Sequence, residues 1–256
     1  MTYKEWAAYR THSLVSVFIG PAHFLVATSI WRAVYSTGGS VGGVSLDDMI
    51  LYYAVSTLIS YLVMDFADWN LQMLIRTGKY LTFALRPLHH RLFALSQKIG
   101  HRVLGFIFEF VPVLVVFLLM FDLKPRIASW PWALLSLALA FLIRFYINYT
   151  IGLTAFWLVK TDGLRGVIHL LTDICSGLIF PLVILPRWAQ AIAFFMPFQY
   201  TLYVPSMAFT GSYKLGAFSM SVPAIVAIQG AYVLAFALLS ELLYRLGMKR
   251  FTAVGA

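Results

Sequence analysis

Apolar runs about 20 residues long recur from one end of this chain to the other. Each is long enough, coiled as a helix, to cross about 30 Å of hydrocarbon. They fall at roughly 13–35, 49–68, 102–121, 131–158, 166–185 and 220–244. In lipid the backbone must satisfy its own polar groups, so such runs read as transmembrane helices. The fold class expected is an all-α polytopic membrane protein with six transmembrane helices. Six spans with short connections use up 256 residues and leave no room for a separate soluble domain, so 1–256 reads as one domain. With 61% hydrophobic and 11% charged residues, against about 25% charged in soluble domains, a water-soluble fold is excluded.

The connections carry the rest of the information. Residues 1–12 mix charges with Tyr3, Trp6 and Tyr9 and read as an interfacial helix. No cleavable signal peptide is evident, because the first apolar run is too long for one. Residues 69–101 form the longest polar connection. Within it, 69–77 reads as a short amphipathic helix stopped by Gly78, a residue common just past a helix end. A second helix is expected from Pro87, with Leu88, Leu92, Leu95 and Ile99 on one face. That basic, amphipathic connection suits either anionic lipid or a docking partner. Between spans 5 and 6, Pro186, Pro197 and Pro205 cut an apolar stretch into pieces too short to cross. Residues 186–216 are therefore expected as a re-entrant hairpin on the outer side.

The net charge of +9 follows topology and not a nucleic-acid surface. With both termini on the cytoplasmic side, that side holds Lys4, Arg10, Arg76, Lys79, Arg86, Arg91, Lys98, Arg102, Lys160, Arg165, Arg245, Lys249 and Arg250. The outer side holds only Lys124, Arg126, Arg187 and Lys214. Positive residues are retained in cytoplasmic loops, so this orientation is the expected one. The lone cysteine, Cys175, lies in an apolar run and has no partner for an intrachain disulfide.

Charges embedded in spans cost about 2.5–3.5 kcal/mol each at mid-bilayer and need protein or water around them. Arg144 falls near the middle of span 4. Glu109 in span 3 and Asp173 in span 5 fall nearer the cytoplasmic side. These three either form packing ion pairs or line a substrate path, with Glu109 and Asp173 drawing cations into an inner vestibule. His169 and Asp173, four apart, share a helix face, but two ligands fall short of a metal site. Glu241 and Arg245 suit a helix-end pair. Asp65 and Asp68 are expected to engage the arginines of the following loop, and His89 and His90 to face solvent. Gly105, Gly152, Gly177 and Gly230 suit close packing of helices. No G-x-S-x-G, H-E-x-x-H or Cys/His cluster is present, so no catalytic centre is expected.

Three stretches carry a resemblance. LIRTGKYLTFALRPLHHRLF at 74–93 resembles the "glycine, then Leu-Arg-Pro" loop of permease subunits of type-2 ABC exporters, in the viologen-exporter-type and uncharacterised branch. SGLIFPLVILPRWAQAIAFFMPFQYTLYVPSMAFTG is similar to that family's end of span 5 and outer hairpin. The tail GMKRFTAVGA is similar to its basic, glycine-bounded ending. Lys79 departs from the pattern, where an acidic or neutral residue is more usual. The resemblance implies a bacterial inner-membrane permease that pairs with a second copy or a paralogous permease. It also implies an ABC ATPase subunit docked on the 69–101 region through Asn70, Leu71, Leu74, Arg76, Gly78, Arg86 and Pro87. Alternating access would move a hydrophobic or amphipathic substrate, cations and drugs among them, out of the cytoplasm. ATP and magnesium would sit on the partner. This chain has no G-x-x-x-x-G-K-[ST]: Gly78-Lys79 is followed by Tyr80 and lacks the upstream glycine. The alternative is a secondary transporter driven by an ion gradient and coupled through Glu109, Asp173 or His169, whose usual sign, an inverted repeat, is not seen.

Overall fold

A computed structural model describes residues 10–36, 41, 43–121, 129–158 and 160–251. The expected interfacial helix at 1–12 lies almost wholly outside the described residues, as do Lys124 and Arg126. Five helical stretches among the described residues are long and apolar enough to cross a membrane.

The first, α1 (Arg10–Ser36), holds Pro21 in its interior. Proline breaks the helical ladder, and next to it the Gly20 N–H donates to the Tyr61 hydroxyl of the neighbouring helix at 2.9 Å. Helix α2 (Leu46–Val63) is capped by Ser45, whose hydroxyl accepts from the Asp48 N–H, with Asp47 and Asp48 in the first turn. Both features favour a helix start. The chain turns extended at Met64, and the Asp65 carboxylate accepts the Ala67 N–H at 2.9 Å to open α3 (Ala67–Arg76). Gly78, at φ +69°, ends that segment in the left-handed conformation that glycine tolerates. A single turn, α4 (Leu81–Ala84), follows.

The expected separation of an amphipathic helix from span 3 does not hold. Helix α5 (His90–Gly105) runs through a π turn at Phe106–Phe110 into α6 (Val111–Phe121) without a break. It begins three residues after Pro87. Its 30-residue apolar stretch is about 45 Å long at 1.5 Å per residue. That exceeds the hydrocarbon thickness of about 30 Å.

Helix α7 (Trp130–Leu153) is the centre of the bundle, packed along α3, the short helix Tyr203–Thr210 and the last helix, α11 (Val222–Met248). One buried side chain fastens three parts. The Gln229 amide on α11 donates to the carbonyls of Ser136 on α7 and Tyr200, both at 2.9 Å, and accepts from the Ser136 hydroxyl at 2.8 Å. At Gly152 the backbone of α3 comes so close that a Cβ would lie 3.1 Å from the Asp68 carbonyl and 3.0 Å from the Leu71 Cβ. Gly230, by contrast, faces open space and is not a close-packing position.

The stretch expected as span 5, 166–185, is only partly helical. Helix α8 (Asp162–Cys175) has 14 residues, about 21 Å. The chain then leaves helix, and the freed carbonyls of Gly177 and Ile179 accept from the hydroxyls of Tyr52 and Tyr53 at 2.8 and 3.0 Å. Non-helical backbone at membrane depth needs such partners. The proline-cut pieces are helices α9 (Arg187–Phe195) and α10 (Tyr203–Thr210), nine and eight residues long, joined by a 3-10 turn at Pro197–Thr201. A two-stranded hairpin, β1 (Tyr213–Leu215) with β2 (Phe218–Met220), leads into α11. It was not expected from the sequence. Its Phe218 stacks on Phe194 at 3.9 Å.

Contacts fix which loops share an end of the bundle. Arg76 meets Asp162, Arg91 meets Glu241, and Tyr80 packs on Phe156 and Phe251. The basic segments 76–91, 160–165 and 241–251 thus lie together at one end. The short helices α9 and α10 and the β-hairpin lie at the other.

Candidate functional site

At the basic end, α3 presents two faces. Ala67, Leu71, Gln72 and Ile75 are buried, and Ala67, Leu71 and Ile75 form a second core cluster with Tyr80, Ala94, Phe145, Tyr149 and Leu153. Trp69, Met73 and Arg76, spaced four and three, are exposed on the other side. Of the expected docking residues, Arg86 and Pro87 are exposed beside Leu85 and Leu88, and Arg86 lies over the Phe83 ring at 5.1 Å. Leu71 is buried, Leu74 packs on the second cluster and Asn70 is half-buried, so these three face the bundle more than a partner. Trp69, Met73, Leu85 and Leu88 are also exposed here and were not among the expected docking residues. The spacing of Trp69, Met73 and Arg76 was the signal for the first two.

The loop is held down by aromatic rings. Tyr80 is fully buried between His90, Phe156 and Phe251, with ring centroids 5.1–5.5 Å away, and burial pushes its phenol pKa up. His90 is not solvated as expected. It is buried, stacks on Tyr149, and its Nδ1 lies 3.0 Å from the Tyr149 hydroxyl.

Asp65 and Asp68 do not engage the arginines of the loop. Asp65 lies 3.9 Å from the Lys98 ammonium on α5 and accepts from the Asn148 amide on α7 at 3.2 Å. Asp68 lies 2.7 Å from His169 Nε2 and 3.4 Å from Arg165, both on α8. One and two turns further along α3, Gln72 donates to Asp162 at 3.4 Å, and Arg76 lies 3.8 Å from the same carboxylate. Residues 68, 72 and 76 stand on one helix face at four-residue spacing. Asp68 takes His169 and Arg165, and Gln72 and Arg76 both take Asp162, so a polar ladder joins α3 to α8 in antiparallel sense. Glu241 carries the expected Arg245 pair at 2.7 Å and adds Arg91 at 3.4 Å.

Beyond the ladder, α8 reaches a cavity of about 380 Å³ between α1, α2, α7 and the start of α10. Its walls include Gly20 and His23, Thr57, Ser60 and Tyr61, Arg144, Asp173 and Ser176, and Thr201 and Leu202. The structure therefore brings Arg144 and Asp173 to one space. Among the described residues, no carboxylate lies within ion-pair distance of Arg144; Asp173 is the carboxylate that shares the cavity wall with it. Glu109 is elsewhere. It is buried in the π turn, where its carboxylate and the Arg102 guanidinium converge over Gly105, and it does not line this cavity. Arg102 in turn donates to the Tyr61 carbonyl. His169 faces Asp68 and not Asp173, and no three His, Cys, Asp or Glu side chains among the described residues could hold a metal ion.

Searches of the curated proteins and of the solved structures find no match. A family model does match. The model of the ABC-2 family transporter protein covers residues 23–255, nearly the whole helical bundle, and the chain belongs to that family of multi-pass membrane permeases.

Proposed function

We propose that this chain is the membrane permease of an ATP-driven exporter, resident in a bacterial inner membrane with its basic end and both termini in the cytoplasm. The observation that carries the reading is the ladder from α3 to α8. It links an exposed face at the basic end to the helix that bears Asp173 at the cavity. A partner that pushes on Trp69, Met73, Arg76, Leu85, Arg86 and Leu88 would move α3, and the ladder would carry that displacement along α8 to the cavity wall. The partner is an ABC ATPase subunit, which supplies the ATP and magnesium site. The two permease halves are this chain and a second copy or a paralogue.

In this reading the chain crosses the membrane six times. Five crossings are the long helices. The sixth is composite: α8 followed by the non-helical stretch whose carbonyls Tyr52 and Tyr53 satisfy. Helices α9 and α10, about 13 Å each, then dip in and return as a re-entrant hairpin on the outer side. Positive charge gathered at one end supports the orientation. The substrate is hydrophobic or amphipathic, and Arg144 and Asp173 lie on its path.

Co-purification tests the partner. The chain is co-expressed with its candidate ABC ATPase, as wild type and with Leu85→Asp and Leu88→Asp together. Both side chains are exposed, so membrane insertion and thermal stability stay unchanged while the ATPase no longer co-purifies. Undiminished association of the double variant would remove the docking assignment.

A further inference from the structure

The cavity wall has a charge pattern that selects among amphipathic substrates. Arg144 and Asp173 both face this space, and no ion pair closes the gap between them. A simple cation drawn to Asp173 would meet the Arg144 guanidinium across the same cavity, so attraction and repulsion would largely cancel. A simple anion meets the reverse arrangement. A ligand carrying both signs, set to match, gains from both groups. The low-dielectric surroundings strengthen that gain over its value in water. Arginine adds a planar fork of donors that fits a phosphate or carboxylate. The remaining polar wall carries the His23 imidazole and several hydroxyls; Ser60 and Thr201 donate to their own helix carbonyls at 2.7 Å, which leaves lone pairs to accept. Ile19 and Met64 edge the cavity and are exposed on the flank of the bundle, where an apolar chain can leave the cavity for lipid.

We propose that this cavity is the binding site for the zwitterionic headgroup of a single-chain or lipid-like amphiphile. Arg144 holds the phosphate or carboxylate, Asp173 holds the ammonium, and the apolar chain passes Ile19 and Met64 into the bilayer. The proposal deepens the permease reading by naming its substrate class. The vestibule that Glu109 and Asp173 were expected to form for simple cations is replaced by an Arg144–Asp173 pair of opposite sign.

The test uses the full chain held in amphipol, without any ATPase, and measures binding by titration calorimetry below the micelle concentration of each probe. Four probes separate the contributions: dodecylphosphocholine, dodecyltrimethylammonium, dodecyl phosphate and free phosphocholine. Dodecylphosphocholine is expected to bind about tenfold tighter than either singly charged probe. Free phosphocholine, lacking the chain, is expected to bind far more weakly than all three. Arg144→Gln abolishes the advantage over the trimethylammonium probe, and Asp173→Asn abolishes the advantage over the phosphate probe. Arg144→Lys keeps part of the first advantage, which separates loss of charge from loss of fold. Equal binding of the three dodecyl probes, tightest binding of the trimethylammonium probe, or an undiminished preference in Arg144→Gln would each overturn the proposal. Free phosphocholine binding as tightly as its dodecyl form would overturn the amphiphile. Because no ATPase is present, failure here leaves the docking test above untouched, and failure of docking leaves this site standing.

Discussion

Replacing Asp68 by Asn should loosen α8 from α3 more than the loss of an ordinary hydrogen bond would. Asp68 is 2% exposed and sits 3.4 Å from the Arg165 guanidinium and 2.7 Å from His169. At 3.4 Å and an effective dielectric of about 20, the Arg165 attraction is about 5 kcal/mol gross. Most of that offsets the cost of burying the carboxylate. Removing one buried partner nonetheless leaves the others uncompensated, at about 3–5 kcal/mol in fully buried pairs. Arg165 and His169 are 33% and 28% exposed, so water relieves part of that penalty, and we expect a loss of about 2 kcal/mol. Neutral hydrogen bonds between membrane helices average about 0.6 kcal/mol, which makes the two accounts separable. Equilibrium unfolding in mixed micelles of wild type, Asp68→Asn, His169→Gln and the double variant measures it. The double variant should fall short of the summed single losses by about 1 kcal/mol. A loss near 0.6 kcal/mol for Asp68→Asn, or strict additivity, would refute an ionic ladder between α3 and α8.

Three further outcomes follow from packing. Gly152→Val forces atoms into the Asp68 carbonyl and Leu71, where even a Cβ lies at 3.0–3.1 Å. It should cost about 1–3 kcal/mol in the same unfolding assay and displace α3. Tyr80→Ala empties the ring cage formed by His90, Phe156 and Phe251. It should cost about 3 kcal/mol and speed proteolysis within 77–89. Gln229→Leu strips two carbonyls and one hydroxyl of their partner. At about 0.6 kcal/mol per interhelical bond it should cost about 2 kcal/mol, read as a lowered unfolding temperature.

The crossing helices were legible because about 20 successive apolar residues have few other places to go. Trp130–Leu153 and Val222–Met248 fall within a few residues of the expected spans 4 and 6. The proline-cut pieces were legible for a similar reason, since proline acts locally. What was not legible depended on partners far away in sequence. Lys98 was expected on a separate amphipathic helix and Arg102 at the start of span 3, yet one helix runs through both, with Asp65 and the Tyr61 carbonyl taking up their charges. Residues 176–185 read as helix because they are apolar. Leaving helix became tolerable only through hydroxyls on Tyr52 and Tyr53. Of the site, Arg144 and Asp173 were singled out as buried charges, and the cavity joins them. Glu109 was singled out on the same grounds, but its carboxylate lies over Gly105 near the Arg102 guanidinium and not on the cavity wall. The coupling residues were chosen by likeness of a loop, which gives position along the chain but not which side of α3 faces outward.

In the proposed permease, ATP hydrolysis on a separate subunit drives movement through this bundle by way of α3. The direct measurement is transport of a dodecylphosphocholine-type probe into inside-out proteoliposomes that hold this chain and its ABC ATPase. Uptake is predicted to need hydrolysable ATP, to persist when ion gradients are collapsed, and to fall in Asp68→Asn while ATP hydrolysis continues. Uptake driven by an ion gradient without ATP, or undiminished uptake in Asp68→Asn, would contradict it.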